Sequence, residues 1–532
     1  MKAASIFLIS LITFFSSCTN KNPEPVITVR DTTITQENSV SELFIDSTLL
    51  EGFILDQQVE DSSANRLRNF YNSRNYQFAW FTEDGMAEQA GAFWNLYKNY
   101  IQLSNDSSII DKQLHQQMEF YINEDTIIPH EHKLVVQTEF KLTGLFFNYA
   151  KYAYAGKVDP DELQWHIPRK KINAFELLDS LISNKGQNID LWEPVNQQYI
   201  RMAKQLTRYH EIDKAGGWQE IISDKKINYK QGDSSDAVSQ IIRRLSDEGD
   251  LDANDSSRMF TEGVTIAIKK AQRRYGLVQT GIPNDELIGN LNVPVKERIK
   301  QMLINMERMR WMPKEPSGYR ITVNIPDYKL RVYEASEKVF EMGIVVGSEA
   351  NKTVIFNDVL KYVVFSPYWN ITPNIVRNEI LPAMKKNRNY LAKKNMEQTG
   401  TSNGLPVIRQ KPGGNNALGK VKFIFPNSYN IYFHDTPAKS LFRKEKRAFS
   451  HGCIRLSSPR KLAEYLLRNQ PEWTEEKITE AMNASKEKWV SLKEPIPVVI
   501  TYFTSWISRD GLLNFREDVY GHDAKMAERL FE

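Results

Sequence analysis

Cysteine is nearly absent. The 532-residue chain holds two, Cys18 and Cys453. Cys18 closes an apolar N-terminal stretch, which leaves Cys453 as the one thiol for the rest of the chain. One thiol cannot close an intramolecular disulfide, so a disulfide framework is excluded. An excess of one charge is also missing: 69 basic and 66 acidic residues give a net charge of +3. That balance excludes the strongly basic surface of a nucleic-acid binder. The eight histidines are scattered, and no CxxC or HExxH spacing occurs. No metal and no organic cofactor are therefore expected. Beyond the N-terminus no apolar run is long enough to span a bilayer. What remains is a globular composition, 41% hydrophobic and 25% charged. The length suits roughly two to four domains.

The N-terminus is read as an export signal. Lys2 supplies the positive charge, 3–15 is apolar, and Ser16-Ser17-Cys18 ends the run. The run is too short to cross a membrane as a helix but suits a signal peptide. Small residues before a cysteine resemble a bacterial lipobox, with Phe15 in place of the usual leucine. Cys18 is thus the expected lipidation site, and 1–18 the signal segment. Residues 19–41 are polar with two prolines and read as a flexible tether. The expected location is the periplasm, lipid-anchored, with the outer membrane preferred.

The body reads as multidomain α+β. From 42 to 228 apolar residues recur at helical spacing, as in Leu67, Phe70 and Tyr71. This is a helical scaffold whose aromatic stripes are core. Residues 229–293 form a compact unit. Asp233 to Asp236 supply helix-start chemistry, and Ala237, Val238, Ile241 and Leu245 give one apolar face. Phe260, Val264, Ala267, Ile268 and Tyr275 give a second, closed by Gly276. With Gly281-Ile282-Pro283 following, this unit resembles the small three-helix peptidoglycan-binding domain. A linker helix is expected within 294–318. From 319 to 532 the period changes to two, as in Ile321, Val323 and Ile325, so this domain is mainly β. Residues 370–426 interrupt it with prolines, glycines and lysines, and an insertion of that length reads as a helical lid.

The chemistry gathers at Ser450-His451-Gly452-Cys453-Ile454-Arg455. A reactive thiol sits in an electropositive, partly exposed setting, whereas a structural one is buried among apolar groups. A nucleophilic thiol also needs a base, and His434, closing the alternating Tyr432-Phe433-His434, is the candidate. Its other ring nitrogen needs an orienting acceptor. Both the carboxylate and the backbone carbonyl of Asp435 qualify. Gly452 lets a substrate approach the backbone closely, so that amides at and beside Cys453 can donate to a developing oxyanion. Arg455 lies two residues on and shares the face of Cys453 if the segment is extended. Its guanidinium suits a substrate carboxylate.

His434-Asp435-Thr436-Pro437, followed by the Ser450–Arg455 motif, resembles the signature of L,D-transpeptidases with a YkuD-type catalytic domain. Ser366-Pro367-Tyr368-Trp369-Asn370, together with Tyr502-Phe503-Thr504-Ser505-Trp506 and Asp510-Gly511, resembles the large YcbB-type branch. That resemblance implies a reaction on peptidoglycan. Cys453 would attack the bond between the third and fourth residues of a tetrapeptide stem, releasing D-alanine and leaving a thioester. The side-chain amine of a diamino acid in a second stem would then take the acyl group, giving a 3-3 cross-link. His434 would be the general acid/base. Ser450, His451, Gly452, Arg455 and Trp369 would shape the substrate pocket. His451 departs from the branch, which often has a small residue there, and a pocket or structural role is expected for it. The implied partners are stem peptides and, through the lipid, a membrane. Carbapenem-like acylating agents should react at Cys453.

Three other readings stay open at this stage. The same thiol and histidine would serve an L,D-carboxypeptidase or wall amidase that uses water as acceptor. They would also serve an enzyme that attaches a protein to the wall. The lipobox, tether and binding-domain resemblance would fit a non-catalytic, lipid-anchored wall-binding protein.

Overall fold

A computed structural model describes residues 27–37, 41–123, 132–189, 193–222, 229–252, 258–313, 318–335 and 337–531. The signal segment and Cys18 lie outside the described residues. Two compact units emerge, and they do not follow the expected boundary at 228. Residues up to 98, 107–148 and 174–192 form one unit. Residues 99–106, 149–173 and 193–532 form the other.

The first unit is helical. Its helices include Ser47–Asp56, Asp61–Ser73, Lys112–Asn123 and Ala174–Ser183. Asp46 caps the first by accepting from the Thr48 N–H. The expected aromatic stripes are core: Phe70 packs edge-on against Phe147, and Tyr71 against Phe140. Among them lies the buried Glu139, which accepts from the Ala79 and Trp80 N–H groups and the Tyr71 hydroxyl. Burial raises its pKa to about 7. The tether expectation needs correction here. Residues 28–34 lie along helix Asp61–Ser73 and its end. The Thr28 N–H donates to Asn69 Oδ1, Asn72 Nδ2 to the Thr28 carbonyl, and Asn75 Nδ2 to the Ile34 carbonyl. Backbone groups that find partners are no longer free chain.

In the second unit, 229–293 holds helices Asp236–Asp247, Glu262–Tyr275 and Asp285–Leu291. Ser235, Thr261 and Asn284 cap their N-termini with side-chain oxygens, and Gly276 at φ +76° ends the second. Their apolar faces share a core with helices Gln197–Lys214 and Val295–Trp311. The last of these lies within 294–318. Among the described residues no helix is long and apolar enough to cross a membrane.

The C-terminal sheet closes on itself. Val421–Ile424 pairs with Phe433–His434, which pairs with Ile454–Leu456, then Glu337–Gly347, Lys329–Glu334, Arg320–Asn324, Lys488–Thr501 and Ile355–Phe365. Ile355–Phe365 also pairs with Val421–Ile424, which completes the ring. Inward residues such as Val323, Leu330, Ile344, Phe423, Phe433 and Ile454 are fully buried. The insertion is a small body of its own. Trp369–Asn370, Leu405–Gln410 and Met396–Ser402 form a three-stranded sheet. Ile371, Ile375, Val376, Ile380 and Ile408 are its core. It is therefore not purely helical. Nor does it reach 426, because Val421–Ile424 belongs to the closed sheet.

Near the C-terminus, His522 is buried edge-on against Tyr502 with Arg308 and Lys352 nearby, and burial lowers its pKa to about 4. The unfolded chain takes up that proton first as pH falls. The stability it contributes is complete above about pH 6.5 and is lost as pH falls toward 4. His522→Asn should therefore flatten the acid-side decline by up to about 1.4 kcal/mol per pH unit. Urea unfolding at stepped pH between 6.5 and 4 reads this, and an unchanged slope would refute it.

Candidate active site

Strands Phe433–His434 and Ile454–Leu456 run parallel, with Phe433 opposite Ile454 and His434 opposite Arg455. Phe433 and Ile454 point into the core. Alternation then puts Tyr432, His434, Cys453 and Arg455 together on the other face. The pairing holds because apolar and polar residues alternate in both segments, so a one-residue slip would bury His434 and Arg455 in the core. The preceding turn is tied by Asn427, whose Oδ1 accepts from the Tyr429 and Ile431 N–H groups.

His434 is 4% exposed. Its Nδ1 lies 2.5 Å from the backbone carbonyl oxygen of Asp435. Donation to that carbonyl places the proton on Nδ1 and leaves the lone pair on Nε2. Nε2 has no hydrogen-bond partner among the described residues. The choice left open for Asp435 is thus settled for the carbonyl. Its carboxylate is occupied by the Lys420 and Thr436 N–H groups and by Lys439 Nζ. Gly419 makes this approach feasible, since a Cβ there would sit 2.4 Å from the Asp435 carboxyl carbon. Burial, and then the charge of Arg455, depress the His434 pKa to about 3. The ring is neutral at pH 7.

Cys453 is half-buried. Its Sγ lies 3.6 Å from the Asn430 carbonyl, and no bond to the imidazole forms in this structure. Burial raises the thiol pKa, while hydrogen bonds from Tyr432 and the charge of Arg455 oppose the rise. The resting pair is therefore neutral thiol and neutral imidazole. Contact of this kind often tightens only when substrate binds. Tyr432 is a site residue that the sequence reading missed, although its place two before His434 on an alternating strand was the available signal.

The turn before the thiol is tightly held. Ser450 Oγ accepts from the Gly452 N–H and donates to the Cys453 carbonyl. Gly452 stands at φ +109°, so its requirement is conformational. The Ile454 N–H goes to the Tyr432 carbonyl. The Cys453 N–H is left without a partner among the described residues, available to an oxyanion. The Arg455 guanidinium has no ion pair among the described residues, and its Nε is buried without a partner. It is a cation in want of an anion. His451 is half-exposed and bonds Glu379 of the insertion at 2.8 Å. Trp369 pairs with Gln410 in the insertion sheet and packs on its core. Among the described residues no cluster of three His, Cys, Asp or Glu side chains is placed to hold a metal.

A model of the YkuD family, the L,D-transpeptidase catalytic domain, matches residues 318–485. That stretch is similar to an L,D-transpeptidase catalytic domain. A scaffold domain model matches residues 65–206. A Haemophilus influenzae protein named "Putative L,D-transpeptidase" is 31% identical over 242 residues, which is 43% of this chain and 49% of that protein. The chain thus spans about half the length of this curated relative. Among solved structures, an L,D-transpeptidase from Mycobacterium smegmatis is 13% identical, with TM-score 0.20 over 35% of this chain and 60% of that one. An L,D-transpeptidase (Yku) from Stackebrandtia nassauensis is 15% identical, with TM-score 0.21 over 52% and 97%. Both likenesses are distant.

A neutral resting pair has a measurable consequence. Alkylation of Cys453 by iodoacetamide should rise with pH along an inflection above the ordinary thiol range, with no acidic shoulder. Arg455→Gln removes the charge that favours thiolate and should move the inflection higher still. Intact-mass rate measurements check this, and an inflection below pH 7 would indicate a preformed ion pair.

Proposed function

We propose that the chain is a peptidoglycan L,D-transpeptidase that forms 3-3 cross-links through a thioester on Cys453. The observation that supports this most is the shared face of Cys453, His434 and Arg455 within a YkuD-type domain, with the imidazole lone pair left on Nε2. In the first step Sγ attacks the carbonyl carbon of the donor stem's third residue. The carbonyl electrons move to oxygen, where the Cys453 N–H donates, and the thiol proton passes to His434 Nε2. The C–N bond then breaks, and the departing D-alanine amine takes that proton. In the second step the acceptor amine gives a proton to His434 and attacks the thioester. The C–S bond breaks and the sulfur recovers a proton. Arg455 receives a stem carboxylate on this reading, since its guanidinium has no ion pair among the described residues.

The YcbB-type branch and the wall-binding role of 229–293 belong to the same reading. So does a lipid on Cys18 that holds the protein in the periplasm. They rest on the motif resemblances and on the three-helix form of 229–293.

Incubation of the purified protein with tetrapeptide-bearing muropeptides should yield 3-3 linked dimers by mass spectrometry. Cys453→Ala should reduce dimer at least ~10³-fold, the scale at which loss of a nucleophile is felt. Tripeptide monomer without dimer would instead make the protein a carboxypeptidase. Dimer from Cys453→Ala would remove the thioester.

A further inference from the structure

The motif leaves unexplained why the turn before Cys453 holds its shape. The answer lies in residues far from it in sequence. The Gly347 N–H donates to Thr353 Oγ1 at 2.9 Å. The hydroxyl has one proton, and it goes to the Gly452 carbonyl at 2.8 Å. The Thr353 N–H meets the Tyr520 hydroxyl at 3.3 Å, and that hydroxyl donates to the Gly347 carbonyl at 2.7 Å. Thr353 is 2% and Tyr520 1% exposed, so water offers these groups little competition. Beside them the Ser348 N–H holds the Ser450 carbonyl at 2.9 Å. Gly347 is needed for this approach, because a Cβ there would lie 2.0 Å from the Asn351 carbonyl oxygen. Tyr520 is placed in turn by the Tyr502 hydroxyl, which accepts from its N–H at 2.8 Å, and by Lys352 Nζ, which donates to its carbonyl at 2.7 Å.

The Gly452 carbonyl and the Cys453 N–H belong to one peptide plane. In a trans peptide they point in opposite directions. Pinning the carbonyl inward therefore aims the N–H outward. The Gly452 and Ile454 N–H groups on either side are already bonded.

We propose that Thr353, supported by Tyr520, is a positioning residue that aims the Cys453 N–H at the oxyanion formed during acyl transfer. Tyr520 lies beyond residues 318–485, so the C-terminal segment is part of the catalytic apparatus on this view. The proposal rests on Cys453 being the acylated nucleophile.

Two reactions of the same sulfur separate aim from reactivity. Alkylation by iodoacetamide is a displacement at saturated carbon and makes no oxyanion. Acylation by a carbapenem passes through one. Both are followed by intact mass on the full chain. Thr353→Val should alkylate within ~2-fold of wild type but acylate ~10- to 100-fold more slowly, a fraction of the loss expected when an oxyanion donor is deleted. Thr353→Ser should restore acylation to within ~3-fold of wild type. Tyr520→Phe should slow acylation selectively by a smaller factor, and it decides the matter if Thr353→Val fails to fold. Acylation at wild-type rate in the folded variants, or equal slowing of both reactions, would overturn the proposal. A wild-type protein that alkylates but neither acylates nor forms dimers would overturn the transpeptidase reading itself.

Discussion

The site depends on one short parallel pairing, Phe433–His434 against Ile454–Leu456. Antiparallel hairpins join neighbours in sequence, but a parallel pair needs a long connection. Here that connection is the segment from Asp435 to Cys453, which contains the turn before the thiol. The pairing sets the thiol at the very start of one strand and the imidazole at the end of the other. The burial of Phe433 and Ile454 fixes the register. Any slip would cost the apolar contacts and scatter the polar face together, so the barrel's core and the site's geometry are one constraint.

That geometry favours an uncharged resting state. His434 is pressed toward low pKa by burial and by Arg455, while burial presses the Cys453 thiol upward. A preformed thiolate–imidazolium pair would face both costs. On the proposed mechanism the proton would instead move as the bond to carbon forms, when negative charge passes from sulfur to a carbonyl oxygen. A donor aimed at that oxygen then matters more than a thiolate made in advance. This gives the Cys453 N–H its weight on the proposed reading, and it gives Arg455 a double part: it favours the thiolate and weakens the base beside it.

Much of this was legible in the sequence. Cys453 and His434 stood out because the chain has so few thiols and because alternation through Tyr432-Phe433-His434 marked a strand end. The same alternation placed Tyr432 on that face, yet an aromatic on a strand reads as core. Asp435 offered two acceptors on one residue, and only the approach of Gly419 to its carboxylate decided between them. Thr353, Gly347 and Tyr520 carried no local signal, since their meaning arises only when the sheet brings distant turns together. Composition marked 19–41 as a tether, but Asn69, Asn72 and Asn75, at three-residue intervals, supply polar partners for the backbone of 28–34. Trp369 was read from a motif, and its strand belongs to the insertion.

The insertion and the catalytic turn are held by bonds of very different cost. The insertion has its own core and sheet. An ion pair between His451 and Glu379, with both side chains about half exposed, links it to the turn. Exposed pairs of this kind contribute about 0–1 kcal/mol. The turn itself is fixed by buried hydrogen bonds from Ser450 and Thr353, and leaving such groups unpaired costs about 1–3 kcal/mol each. Breaking the His451–Glu379 pair would therefore cost less than disturbing the hydrogen bonds that hold the turn. On the proposed reading, a transferase that admits two large substrates in succession would use such a separation between a loosely held insertion and a rigid thiol-bearing turn.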